Sequence, residues 1–209
     1  MWDSGLKIPP TSLTPRGFQV EGAGPDLLAE LLDAYWFEIH RLAPDIADAM
    51  QPGLSESHIF DLFEVLGVQP PAEAVVWWRW RNGFPLYFGH GMGTPQLTLE
   101  MVVKLHRLES LGTDPGQWDP KWVRVAGEGG KFSLAMDCAE PASPPSVRSF
   151  RRDLTEWAMN RRPSAVSLCT PISWWLLGMA SGWTTYSESR GWFTDLERFP
   201  YEWRLGELV

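Results

Sequence analysis

The side chains that could take part in catalysis are spread along the chain without the spacing that catalysis requires. The four histidines are His40, His58, His90 and His106. They lack the paired spacing of a metal site, so we interpret each as a surface or half-buried residue and predict no metal and no other cofactor. Cys138 follows Asp137 and would need a distant histidine to act as a nucleophile. A small buried thiol is the more common role for such a cysteine.

Two glycine-rich stretches resemble catalytic motifs only superficially. Gly89–Gly93 lacks the Gly-Lys-Ser/Thr of a phosphate loop and the full Gly-x-Gly-x-x-Gly spacing, so it indicates a turn. Gly178–Gly182 does not have the Gly-x-Ser-x-Gly spacing of a nucleophile elbow. Carboxylates are abundant, but no two of them stand out as a glycosidase pair. We therefore predict that the protein is not an enzyme, with an enzyme of unrecognised type as an alternative for activity screening.

Two further groups of residues admit a ligand-binding interpretation. Five arginines cluster within fifteen positions: Arg148, Arg151, Arg152, Arg161 and Arg162. Nucleic-acid binding is one interpretation, and pairing with acidic residues of the first third, or an exposed helix face, is the one we favour. The adjacent pairs Trp77-Trp78 and Trp174-Trp175 suggest a sugar platform. Adjacent helical residues point about 100° apart, so we expect one Trp of each pair in the core and the other at an edge.

The charge of the chain is concentrated in its first third. Residues 1–70 hold 11 of the 26 acidic residues and 3 of the 18 basic ones, and residues 71–209 hold 15 of each, so the formal net charge of −8 lies before residue 71. This distribution disfavours nucleic acid as a direct ligand, because nucleic acid needs a basic footprint. It would steer a basic protein partner to the N-terminal region. A solvated helix face that maintains solubility is the alternative.

Length and cysteine content set the class of protein. A chain of 209 residues favours one domain with a sizeable core, and its 13 tryptophans supply large rings to fill it. We find no long apolar run for a membrane span and no basic start followed by an apolar stretch, so we expect neither a membrane association nor a secretory signal. Two cysteines 31 positions apart indicate a reduced, cytoplasmic protein.

The helices are signalled by periodicity and by capping residues. Residues 1–24 are rich in Pro and Gly and predict an irregular arm, followed by an acidic amphipathic helix over 26–42. A second helix ends at Gly67, and a third begins after Pro71 and ends on Asn82-Gly83. Thr98 predicts the start of a helix over 99–110, and Thr170-Pro171 that of a helix over 171–181.

Alternation and turn residues predict the remaining elements. Strands are expected at Phe84–Phe88, at Trp122–Ala126 and Phe132–Asp137 as a hairpin, and at Val147–Phe150. Leu154–Met159 suits a short helix, and the tail 183–209 shows no clear periodicity. We predict an α+β fold with a small mixed, mostly antiparallel sheet flanked by helices and an added N-terminal acidic helix. Residues 25–209 would form a single domain.

The order of these signals resembles the SUKH superfamily, which includes fungal cell-wall assembly regulators of the Smi/Knr type and bacterial toxin-immunity proteins. The resemblance covers roughly residues 55–183. The matching features are the helix at 57–66, Gly67, Pro71, the Asn82-Gly83 exit, the helix at 98–110, the Trp122–Ala126 strand, Gly129-Gly130, the strand ending at Asp137, and the helix ending at Gly182. The resemblance implies an α+β fold and a binding role without catalysis. The helix over 26–42 and the aromatic tail depart from the family pattern.

We therefore expect a cytoplasmic protein-binding domain, of the immunity type, that neutralises a bacterial toxin by direct binding. A basic toxin nuclease is one partner that fits, because a nuclease needs a basic surface to hold nucleic acid. The alternatives are a regulatory scaffold of cell-wall assembly and a small-molecule or sugar-binding module that uses the aromatic tail. The residues predicted to contact the partner are Asp26, Glu30, Asp33 and Phe37 in the first helix, Glu128 at the hairpin turn, and Trp192 and Asp195 in the tail.

Overall fold

A computed structural model of the chain describes residues 7–83, 96–112, 119–128, 132–153, 156–159, 165–189, 191–195 and 197–198. The described residues form an α+β fold with one large mixed sheet, a separate small hairpin and helices packed against the sheet. This confirms the predicted fold class. The expected strand at Phe84–Phe88 lies outside the described residues.

Seven strands of the described residues form the large sheet. They are β1 (Thr11–Thr14), β2 (Gly17–Val20), β3 (Trp122–Glu128), β4 (Phe132–Asp137), β5 (Ser146–Asp153), β6 (Glu156–Met159) and β7 (Ala165–Val166). Their order is β1-β2-β7-β5-β4-β3, and β6 pairs with the second half of β5. The β2–β7 pair is parallel and the other pairs are antiparallel. Two further strands, β8 (Thr184–Ser187) and β9 (Gly191–Thr194), form the separate hairpin.

Six helices are described: α1 (Pro25–Leu42), α2 (Pro44–Ala49), α3 (Glu56–Leu66), α4 (Ala72–Trp80), α5 (Leu99–Gly112) and α6 (Cys169–Ala180). Local signals set several of their ends. The Ser55 hydroxyl accepts the His58 amide at the start of α3, and Gly67 ends this helix in the left-handed region with φ 76°. The Thr98 hydroxyl accepts the Met101 amide at the start of α5. Gly67 and Thr98 thus confirm the predicted end of α3 and the predicted start of α5.

The core lies between the helices and the sheet. Helix α6 packs against α1 and against strands β2 and β7, and α5 packs against β3. A second, smaller core cluster joins the end of α1 to α2, α6 and the β8–β9 hairpin: Ile39, Ala43, Ile46, Ala47, Met50, Met179 and Trp192. Because α6 is covered on several sides, nearly all of its residues are buried.

Two expectations about local structure are wrong, and the tail holds a hairpin for which the sequence shows no signal. The arm over 1–24 is not irregular throughout, because residues 11–20 form the β1–β2 hairpin, which joins the sheet through β7. Residues 156–159 form β6 instead of a helix, because pairing with β5 satisfies their backbone groups. The tail contains the β8–β9 hairpin, which the mixture of aromatic and polar residues concealed.

Two expectations about side chains are also wrong. Both tryptophans of the Trp77-Trp78 and Trp174-Trp175 pairs are buried, so neither pair places a ring at an edge. Thr170 lies inside α6 and does not cap it. Its hydroxyl donates to the Val166 carbonyl at 2.8 Å and accepts the Val20 amide at 3.2 Å. Thr170 therefore ties the helix to β2 and β7.

Candidate protein-binding surface

The outward face of α1 carries four of the predicted contact residues in one row. Asp26, Glu30, Asp33 and Phe37 are spaced by four, three and four positions, which places them on one side of a helix. All four side chains are exposed, and Phe37 is 55% exposed. At 1.5 Å per residue the row is about 17 Å long. We call these four residues the acidic row.

The packing of α1 determines which face points outward. Leu28, Leu31, Leu32 and Ile39 are at most 3% exposed and turn toward the core. Helices α4 and α6 pack against α1 and hold it in place. Since the apolar stripe is fully engaged, the helix cannot rotate without exposing it. The acidic row is therefore presented to solvent by a fixed helix.

The three carboxylates of the acidic row differ from Glu38, the other acidic residue of α1, in having no ion pair with any residue that the structure describes. Glu38, by contrast, is buried and accepts two hydrogen bonds from the Arg41 guanidinium, the shorter at 2.6 Å. The negative charges of Asp26, Glu30 and Asp33 are thus not neutralised within the described part of the chain, and they remain available to a positively charged partner.

A partly exposed aromatic group flanks the acidic row. The ring of Trp36 contacts that of Trp80, with centroids 6.3 Å apart, and the guanidinium of Arg81 stacks over Trp36 at 4.0 Å. Tyr35 lies between Trp80 and Trp175, and burial raises the pKa of its hydroxyl. These contacts join α1 to α4 and α6 and stiffen the helix that bears the row.

The three remaining predicted contact residues are not part of this row. Glu128 ends β3 opposite Phe132 in the hairpin, and its side chain lies outside the described set. Trp192 is buried in the second core cluster, with its ring 5.3 Å from that of Tyr186, which does not fit a partner contact. Its neighbour Phe193 is exposed instead. Asp195 forms an ion pair with Arg198, whose Nε lies 3.2 Å from a carboxylate oxygen of Asp195.

Cys138, the one cysteine considered as a nucleophile, is a buried thiol, and so is Cys169. Both cysteines are free. Burial and the neighbouring Asp137 charge raise the pKa of Cys138 to about 12, and burial together with the Glu73 charge raises that of Cys169 to about 11. Both thiols are protonated at neutral pH and are poor nucleophiles. Within the described residues, no group of three or more His, Cys, Asp or Glu side chains could hold a metal ion.

The Asn82-Gly83 segment that follows α4 contacts the start of α5. The Asn82 side-chain oxygen accepts the Leu99 amide at 2.9 Å, and its amide nitrogen donates to the Glu100 carboxylate at 3.0 Å. Gly83 has φ 74° and packs directly against the backbone of residues 96–98. The sequence predicted a turn here, but not that Asn82 would also cap the next helix. This motif therefore serves the scaffold.

Glu73 is a buried carboxylate that the sequence did not single out. It is 2% exposed, and it accepts the Leu168 amide at 2.7 Å, just before the start of α6. Burial raises the pKa of Glu73, while hydrogen bonds from Ser167 and Leu168 oppose that shift. Ser167 adopts φ 74°, and its hydroxyl accepts the Cys169 amide. Glu73 and Ser167 thus complete the amino-terminal end of α6, and the carboxylate has a structural role.

Comparison with known proteins adds no relative: no protein-family model matches the chain, and no curated protein matches it. Among the described residues, no helix combines the length and the apolar character needed to cross a membrane.

Proposed function

We propose that this chain is a non-enzymatic protein-binding domain of the immunity type, which acts in the cytoplasm and neutralises a bacterial toxin by direct binding. The observation that carries the proposal is the acidic row, in which three carboxylates without an ion pair among the described residues precede an exposed phenylalanine on a helix that packs against α4 and α6. The order of elements from α3 to α6 supports SUKH membership, which we propose with it.

The chemistry of the row selects a basic protein as partner. Three aligned carboxylates attract Lys and Arg side chains and accelerate encounter. Phe37 adds an apolar anchor of the kind found at the centre of protein interfaces. A toxin nuclease fits this description because its nucleic-acid site must be basic. Two free, buried cysteines are consistent with a reducing compartment.

The test reverses the charge of the row and measures binding to the cognate toxin, sought first among the products of neighbouring genes. The double variant Glu30→Lys with Asp33→Lys leaves the core intact, since both side chains are exposed. We expect at least a tenfold weaker Kd, about 1.4 kcal/mol, and a flatter dependence of Kd on salt. Glu140→Lys, an exposed charge reversal far away in the sequence, is the matched control. Unchanged affinity and unchanged salt dependence in the double variant would remove the proposal.

A further inference from the structure

A second surface lies at the carboxyl-terminal half of α3. An open groove of about 390 Å³ is lined by Phe60, Asp61 and Glu64 of the helix and by residues 67–70 after it. This volume is within the roughly 300–1,000 Å³ range of ligand-binding clefts. The groove belongs to a different helix from the acidic row, and the sequence did not single it out.

The groove has an apolar wall that the fold itself does not use. The inward stripe of α3, formed by Ile59, Phe63 and Leu66, is buried, and Phe63 packs against the ring of Trp78 with centroids 5.6 Å apart. Phe60 is nevertheless 47% exposed at the edge of the groove. Because the core contacts of α3 are already complete, Phe60 is free to pack against another molecule.

The same groove concentrates negative charge. Asp61 and Glu64 lie in the last two turns of α3, and the last turn holds no basic residue. The carboxyl-terminal end of a helix is itself the negative end of the helix dipole, so these carboxylates add to it. Neither carboxylate has an ion pair with a residue in the described part of the chain. A cation in the groove would relieve this accumulation of negative charge.

We propose that the α3 groove binds a short basic segment of a protein, in which an apolar side chain stands next to Arg or Lys. Charge complementarity selects a cationic occupant and rejects nucleic acid, phosphate and anionic lipid. The wall formed by Phe60 distinguishes a peptide from a bare cation, because it offers apolar contact beside the carboxylates. The proposal rests on the proposed function only in taking the ligand to be a protein, and it uses a separate surface.

The test is a titration of the ¹⁵N-labelled protein with capped tetrapeptides, in which binding is detected by changes in the amide chemical shifts. The probe is arginine-leucine-phenylalanine-arginine, and the controls replace its two arginines by glutamates or its two apolar residues by glycines. We expect saturable shifts at Gly67, Val68 and Gln69 with the probe, and at least tenfold weaker binding with either control. Raising the salt from about 0.05 to 0.5 M shortens the screening length and should weaken binding.

Two groove variants and one outside variant complete the experiment. Glu64→Lys and Phe60→Ser should each weaken probe binding at least tenfold, whereas Glu30→Lys in the acidic row should leave it unchanged. Both groove side chains are exposed, so the variants should retain the wild-type spectrum elsewhere. Binding that persists in Glu64→Lys, equal binding of all three peptides, or shifts confined to α1 would overturn the proposal. Since the acidic row is tested by toxin affinity, the two proposals can fail independently.

Discussion

Three glycines allow the cost of a strained backbone to be separated from the cost of a steric clash. Gly67 has φ 76°, and a Cβ added there would meet no atom within 4 Å. Gly53 is outside the left-handed region, but a Cβ there would overlap the Arg79 carbonyl oxygen. Gly83 has φ 74°, and its Cβ would lie 2.6 Å from the Leu97 carbonyl carbon. Alanine therefore introduces backbone strain alone at Gly67, a steric clash alone at Gly53, and both at Gly83.

The expected losses follow from these contacts. An alanine in the left-handed region destabilises the folded state by about 1–2 kcal/mol. Alanine also lowers the conformational entropy of the unfolded chain, which stabilises the fold by about 0.5 kcal/mol. Gly67→Ala should therefore lower the free energy of unfolding by about 1 kcal/mol. A clash with fixed backbone costs about 1–3 kcal/mol, which is the expectation for Gly53→Ala. Gly83→Ala should lose the sum of the two, about 2–4 kcal/mol.

Urea denaturation followed by tryptophan fluorescence measures these losses, because 13 tryptophans report on the fold. In thermal unfolding, the loss at Gly83 corresponds to a Tm lowered by about 5–15 °C for a chain of this size. Equal losses for Gly67→Ala and Gly83→Ala would refute the reasoning, since the packing of Gly83 against residues 96–98 would then contribute nothing. A Gly53→Ala variant as stable as the wild type would refute the clash at Arg79.

Further predictions concern the polar groups of the scaffold. Asn82→Ala should lower the free energy of unfolding by about 1–2 kcal/mol, because the Leu99 amide loses its cap, and Asn82→Asp should keep that cap while repelling Glu100. Burial raises the pKa of Glu73 above its ordinary 4.5, so folding of the wild type becomes less favourable as the pH rises from 4.5 through the folded-state pKa. Glu73→Gln cannot ionise, and urea titrations across that window should show its stability rising relative to the wild type; a constant difference would contradict this. Cys138 should react with a thiol reagent only at the rate of unfolding, and fast labelling of the native protein would contradict its burial.

Elements that depend on neighbouring residues could be predicted from the sequence. The amphipathic pattern of α1 and the Gly67 end of α3 are local patterns, and the structure reproduces them. The position of Asp26 and Phe37 on the outward face follows from the same periodicity. The part of the candidate surface that lies on α1 was therefore accessible from sequence alone.

Elements that depend on distant residues could not be predicted. Strand β7 has two residues, and its partner β2 lies about 145 positions earlier in the chain, among prolines and glycines that indicate a loop. Glu73 accepts a hydrogen bond from the Leu168 amide, 95 positions later, at the start of α6, which no local pattern indicates. Trp192 is predicted to contact the partner, but β9 alternates over its four residues with Trp192 inward and Phe193 outward.

The parallel pairing of β2 with β7 has a consequence for synthesis of the chain on the ribosome. The β1–β2 hairpin can form early, but its partner Ala165 emerges some 145 residues later. At about 5–20 residues per second, the hairpin waits roughly 7–30 s with the β2 edge unpaired. An unpaired edge can recruit the wrong strand, so the nascent protein is most exposed to misassembly during that interval. The interval ends once Thr170 has been synthesised and its hydroxyl accepts the hydrogen bond from the Val20 amide.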